Sequence, residues 1–124
     1  MTSSNSSLLP IVMLVDDDED LRETTSTLLL SKGFVILEAR NGKEAIEVLT
    51  KAKRLPKLIL LDLAMPVLDG RGFLRVRAQD PIILGIPVVA ISGSSPSAPL
   101  EGVEKILRKP VEFTRLLRLI KKYQ

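Results

Sequence analysis

The chain has no cysteine, no histidine and no tryptophan, and aromatic residues of all kinds make up 3% of its 124 positions. Without cysteine there is neither a disulfide framework nor a thiol nucleophile. Without histidine, the Ser/His and Cys/His pairs and nearly every zinc site fall away as well. Chemistry in this chain must run on carboxylates, hydroxyls and lysines. No apolar run approaches the ~20 residues of a membrane span, and the first residues lack the charged and apolar regions of a signal peptide. A cytoplasmic protein with no membrane segment is expected. The net charge of +3 is modest. The bases are scattered, except for Arg115, Arg118, Lys121 and Lys122 near the end, which have no interleaved aromatics. That cluster reads as a solvated helix face, and nucleic-acid binding is not expected. No Gly-rich phosphate loop supports nucleotide binding.

A length of 124 residues, 45% hydrophobic and 27% charged, suits one globular domain. Its organising stretch is Leu58-Ile59-Leu60-Leu61-Asp62-Leu63-Ala64-Met65-Pro66-Val67-Leu68-Asp69-Gly70. Four consecutive apolar residues, too few for a helix and bounded by Pro56 and by a Pro/Gly turn, predict a strand buried on both faces, as in parallel sheets. Asp62 then falls at the strand's carboxyl end, where open α/β sheets place their chemistry. Asp69 reads as a turn or cap residue.

In chain order, the Ser-rich segment 1–9 has no periodicity and predicts a disordered tail ahead of a domain over 10–124. Ile11 to Val15 predicts a strand that ends in Asp16-Asp17-Asp18-Glu19-Asp20. Leu21, Thr25, Leu28 and Leu29 follow at helical spacing until Lys32-Gly33. Asp18, Glu19 and Asp20 suit the first turn of a helix, whereas Asp16 and Asp17 precede it. Phe34 to Glu38 predicts a second strand. Asn41-Gly42 opens a helix with Ala45, Ile46, Leu49 and Ala52 on one face, followed by a basic connection from Lys51 to Lys57. A third helix begins at Asp69 or Gly70, runs through Phe73, Leu74 and Val76, and fades near Gln79-Asp80-Pro81. Strands at Ile86 to Ile91 and Glu104 to Leu107 follow, with a last helix carrying Phe113, Leu116, Leu117 and Ile120. Five alternations with short links predict a parallel sheet covered by helices on both faces.

In that architecture the strand ends bring Asp16, Asp17, Asp62, Ser92 and Lys109 to one edge of the sheet. Two unit charges about 4 Å apart repel by roughly 4 kcal/mol at an effective dielectric near 20, so three carboxylates there call for a cation. Oxygen ligands with positions left for water suit Mg²⁺ better than zinc or copper. A bound Mg²⁺ would let an anionic phosphoryl group approach Asp62 for attack by its carboxylate, with Lys109 and the Ser92 hydroxyl holding the new phosphoryl oxygens.

Val15-Asp16-Asp17, Leu61-Asp62-Leu63-Ala64-Met65-Pro66 with Asp69-Gly70, Ile91-Ser92-Gly93 and Lys109-Pro110 occur in this order, each at a predicted strand end. Together they resemble the receiver domains of bacterial two-component response regulators, from about Ile11 to the end of the chain. The resemblance implies a flavodoxin-like, doubly wound, five-stranded parallel sheet of order 2-1-3-4-5, an order illustrated by a chemotaxis receiver. It implies phosphorylation of Asp62 by a sensor histidine kinase or histidine phosphotransfer protein, in a signalling protein that catalyses only its own phosphorylation and dephosphorylation. It implies Mg²⁺ held by Asp17, Asp62 and the backbone carbonyl of Ala64, with Asp16 acting through water. Ser92 and Lys109 would sense the phosphoryl group and pair with its charge, and the Lys109-Pro110 peptide would be cis. The downstream target is a protein of unknown identity, and dimerisation is left open.

Two departures from that family pattern stand out. Sixteen residues separate Ser92 from Lys109, with Pro96 and Pro99 among them, so the fourth helix, between the last two strands, should be shortened or missing. Ile106 stands where many receivers carry a switching Tyr or Phe, which argues against aromatic switching. Ala64 leaves the mouth of the pocket small and apolar. The chain ends eleven residues beyond Phe113, so an output domain within it is not expected. Two alternatives remain. One is an aspartyl-phosphate phosphatase of haloacid dehalogenase type, which would need a second acid where Ala64 stands; the other is a degenerate scaffolding receiver that works unphosphorylated.

Overall fold

Pro10 leads into β1 (Ile11–Val15), all five residues of which are buried. The computed structural model describes residues 9–65, 67–94 and 100–124. After β1 come α1 (Glu19–Ser31), β2 (Val35–Ala39), α2 (Gly42–Lys51), β3 (Leu58–Asp62), α3 (Gly70–Ala78) and a short α4 (Pro81–Leu84). The chain continues as β4 (Val88–Ser92), β5 (Lys105–Arg108) and α5 (Phe113–Ile120), which runs into a 3₁₀ turn at Lys121–Tyr123. All strands are parallel, in the order β2-β1-β3-β4-β5. β3 is buried throughout, like β1. Central strands with both faces covered have no solvent side, so their sequences are continuously apolar instead of alternating.

Each sheet face has its own core. Met13, Val15, Ile59, Leu61 and Val88 pack with Ala45 and Leu49 of α2, Phe73 and Leu74 of α3 and Ile83 of α4. On the other face Val12, Leu14, Leu58, Leu60, Val89 and Leu107 meet Leu29 of α1 and Leu116, Leu119 and Ile120 of α5. Short side chains start the helices. Asp18, Asn41 and Asp69 accept hydrogen bonds from the N–H groups of Leu21, Glu44 and Gly72, which satisfies donors that the first helical turn leaves open. Asp69 is therefore a cap, as the sequence suggests.

The structure departs from the sequence reading in three respects. Along α1 the buried residues are Ser26 and Leu29, while Leu21 and Leu28 are exposed, so the apolar spacing of that helix does not mark its buried face. Several boundaries move by a residue or two: β2 starts after Phe34, β4 after Pro87 and β5 after Glu104, and α2 keeps Lys51 but ends before Ala52. The segment at Asp80-Pro81 does not simply fade out of a helix; it starts a new one. Asp80 accepts from the N–H groups of Ile82 and Ile83, and Pro81 occupies a first-turn position where it lacks no bond. Between β4 and β5 the described residues, 93, 94 and 100–104, contain no helix, in keeping with a shortened or missing fourth helix. The tail residues 1–8 and Pro66, Pro96 and Pro99 lie outside the described residues.

Candidate functional site

Register decides what meets at the carboxyl edge of the sheet. Val15 pairs with Leu61, Asp62 with Ile91, and Ser92 with Arg108. Asp16, Asp62, Ser92 and Lys109 consequently emerge side by side from β1, β3, β4 and β5. Asp62 is 4% exposed and Asp16 5% exposed, whereas Asp17 faces solvent. One carboxylate oxygen from each of the three lies within 4.8 Å of the others.

Lys109 supplies the cation. Its Nζ stands 3.3 Å from Oδ2 of Asp62 and 3.9 Å from Oδ2 of Asp16. The Lys109-Pro110 peptide is cis, as the resemblance implies. Asp62 also accepts from the N–H of Ala64 at 3.2 Å, and Asp16 from the N–H of Asp18 at 2.9 Å. Burial pushes the Asp62 carboxyl up from its ordinary range, and the negative charge of Asp16 adds to that. The Ala64 N–H and Lys109 act the other way without cancelling it. Three carboxylates against one ammonium leave negative charge in a partly dry cleft. A hard divalent cation with oxygen ligands fits such a donor set, and the cluster suits Mg²⁺.

Ser92 is buried at the end of β4, but its hydroxyl turns to its own loop, donating to the Ser94 carbonyl and accepting from the Ser94 N–H. Ala64 is exposed at the mouth, and the structure places no acid at that position, which disfavours the phosphatase alternative. Ile106 is 38% exposed on β5. The bases Arg115, Arg118, Lys121 and Lys122 are exposed on the last helical segment, away from the acids.

The sequence reading missed two arginines. Arg22 of α1 donates through Nη1 to the Asp16 carbonyl at 2.8 Å and through Nε to Glu38 at 3.0 Å. Arg77 of α3 is 6% exposed and donates to the carbonyls of Gly102, Leu84 and Ile86. For Arg77 the signal was its place four residues after Phe73, on the buried face of its helix. For Arg22 no signal in the sequence pairs it with a strand-end carbonyl.

The chain is similar over most of its length to known signalling proteins. The polar-differentiation response regulator DivK of Brucella anthropi is 28% identical over 117 residues, covering 90% of this chain and 94% of that one. The autoinducer 1 sensor kinase/phosphatase LuxN of Vibrio harveyi is 34% identical over 116 residues; the match takes in 90% of this chain and 13% of that much longer protein. Among solved structures, a response regulator receiver protein from Pseudomonas putida superposes with a TM-score of 0.83 at 28% identity, over 92% of this chain and 97% of that one. No helix among the described residues is long and apolar enough to cross a membrane. The sequence pattern of the response regulator receiver domain matches residues 12–121, and with the acids and lysine gathered as described the chain belongs to that family of two-component signalling domains.

Proposed function

We propose that this receiver module, taken as residues 10–124, accepts a phosphoryl group on Asp62 from a sensor histidine kinase or a histidine phosphotransfer protein and passes the signal to a downstream protein. The observation that carries this reading is the Lys109 ammonium held 3.3 Å from a buried Asp62 that is grouped with two further acids, Asp16 and Asp17. Asp17, Asp62 and the Ala64 carbonyl would hold Mg²⁺, with Asp16 contributing through water. When bound, the ion offsets the acids' charge and admits an anionic phosphoryl group.

The chain's own residues do the rest. An Asp62 carboxylate oxygen attacks phosphorus, the bond from phosphorus to the donor atom breaks, and the donor atom departs with the electron pair. The Ala64 N–H keeps the Asp62 side chain oriented. Lys109, already beside Oδ2, exchanges a carboxylate partner for a phosphoryl oxygen without leaving the cleft. Ser92 leaves Ser94 and turns its hydroxyl to another phosphoryl oxygen, and that exchange of partners carries the event into the β4–β5 connection. The result is a biased two-state equilibrium, limited by the difference in phosphoryl contacts between the states.

Incubating the chain with acetyl phosphate and Mg²⁺ and weighing it intact tests the reading. A single added phosphoryl group is expected, lost with EDTA during the incubation and lost in Asp62→Ala. An unmodified mass, or modification that survives Asp62→Ala, overturns it.

A further inference from the structure

Asp16 and Asp17 sit where β1 has run out of strand. Asp16 keeps one ladder bond, its N–H donating to the Ala39 carbonyl at 3.0 Å. Its own carbonyl opens toward α1 and is met there by Arg22 Nη1 at 2.8 Å, while Nε of the same guanidinium meets Glu38 of β2 at 3.0 Å. The Arg22 side chain is 13% exposed, so the fork is held among β1, β2 and the second turn of α1. Asp16 has further supports in the Asp18 N–H and Lys109. Asp17 has none: among the described residues its carboxylate has no hydrogen-bond or ion-pair partner.

The carbonyl of Asp16 and the N–H of Asp17 belong to one planar peptide unit. Holding that carbonyl fixes the plane from which Asp17 N and Cα leave, and so restricts the directions open to its Cα–Cβ bond to those that rotation about N–Cα allows. We infer that Arg22 is a positioning residue for the metal-binding acids: through the Asp16–Asp17 peptide it aims the otherwise unsupported Asp17 carboxylate into the cleft, with Glu38 holding the guanidinium off the carboxylates themselves. This rests on the proposed role of the acids as Mg²⁺ ligands. A planar guanidinium suits the task, because its fixed fork meets a carbonyl and a carboxylate at once, whereas an ammonium is a point charge on a flexible stem.

The inference has a sign that separates it from plain electrostatics. A fixed positive charge near a cation site opposes the cation, so if Arg22 acted by charge alone its removal would tighten Mg²⁺ binding. If it aims Asp17, removal loosens the site even though repulsion falls. The test is isothermal titration of the full chain with MgCl₂, with amide NMR to show that each variant is folded. Arg22→Met is expected to weaken Mg²⁺ about tenfold, the scale of a lost ligand-orienting contact. The rate of phosphorylation by acetyl phosphate should fall at low Mg²⁺ and recover at saturating Mg²⁺. Arg22→Lys, which keeps the charge but cannot span both partners, should weaken Mg²⁺ to a similar extent, and it serves as the decisive variant should Arg22→Met not fold. Unchanged or tighter Mg²⁺ binding in a folded Arg22 variant overturns the positioning role alone. A wild-type chain that binds no Mg²⁺ overturns the reading of the acid site and this inference with it.

Discussion

Arg77 and Lys109 are both cations drawn in from the surface, and they differ in what receives them. Arg77 donates hydrogen bonds to three main-chain carbonyls, at Gly102, Leu84 and Ile86, and has no carboxylate in salt-bridge reach among the described residues. Burial lowers its affinity for its proton, and the more distant Glu104 partly restores it. Lys109 stands between two carboxylates, each with a charge of its own, and a third carboxylate lies within reach of both. Carbonyl acceptors hold both terminal nitrogens of the guanidinium, although its buried Nε has no partner among the described residues, so Arg77 ties α3, α4 and the β4–β5 connection into one unit. Shared carboxylates leave charge over and a partner that can be exchanged, which is what the proposed phosphoryl transfer to Asp62 would need.

If that contrast holds, substitutions at the two cations should separate stability from chemistry. The largest effect is expected at Arg77→Ala, which takes the donor from the carbonyls of Gly102, Leu84 and the buried Ile86 and empties a buried side-chain site. Destabilisation of about 3 kcal/mol in urea unfolding is expected, with the phosphorylation rate per folded molecule unchanged. A large loss of rate would place Arg77 in the switch instead. Lys109→Ala should do the reverse, slowing acetyl phosphate incorporation about 10²-fold, the cost typical of one lost charge-stabilising donor, with a loss of stability at pH 7 smaller than that of Arg77→Ala and recovered when Mg²⁺ is added. A rate within twofold of wild type would break the comparison.

Asp62→Asn sharpens it on the acid side. The Asp62 carboxyl in the folded chain holds its proton to higher pH than in the unfolded chain. Between those two pKa values the native state binds more protons, so this group's contribution to stability is present at acid pH and is lost as pH rises through the folded value. At neutral pH the buried charge is a cost that Asp62→Asn removes. The variant should be more stable than wild type at pH 7, and the two should converge on acidification toward the ordinary carboxylate range, as measured by thermal unfolding in EDTA. Saturating Mg²⁺ should narrow the gap at pH 7. A variant less stable than wild type at pH 7 would mean that Lys109 already compensates Asp62 fully.

The smallest effect belongs to the loop that follows β3. Val67 is 78% exposed with φ of 70°, a conformation that β-branched residues avoid. Val67→Gly should stabilise the chain by about 1 kcal/mol through relief of that strain and leave Mg²⁺ affinity unaltered. Destabilisation would show that the exposed side chain has a contact worth more than the strain.

The strands were legible because burial on both faces demands unbroken apolar runs, and Leu58 to Leu61 has no other sensible reading. A lone Asp after a strand is usually a turn or cap residue; Asp62 was legible because a parallel sheet brings its strand end beside those carrying Asp16, Asp17, Ser92 and Lys109. Leu21 and Leu28 misled: their spacing is helical, yet the sheet receives Leu29 and the small Ser26. α4 was written in Asp80-Pro81, a cap followed by a first-turn proline, but four residues are too few for periodicity to register. The place of Arg77 four residues after Phe73 marks the buried face, but what it meets there was not legible, because its acceptors come from segments up to 25 residues away.

The amino-acid sequence by itself determined the five strands, their parallel pairing, the longer helices and which acids, alcohol and amine stand at strand ends, because hydrophobic periodicity and turn chemistry are local; the strand order followed only from the resemblance to receiver domains. Only the tertiary structure decided that the Lys109 ammonium reaches Asp62 before Asp16, that the Ser92 hydroxyl turns to Ser94, and that Arg22 and Arg77 find carbonyl acceptors. Those outcomes depend on distances between strands and helices remote in the chain. The folded sheet sets such distances, and no window of residues contains them.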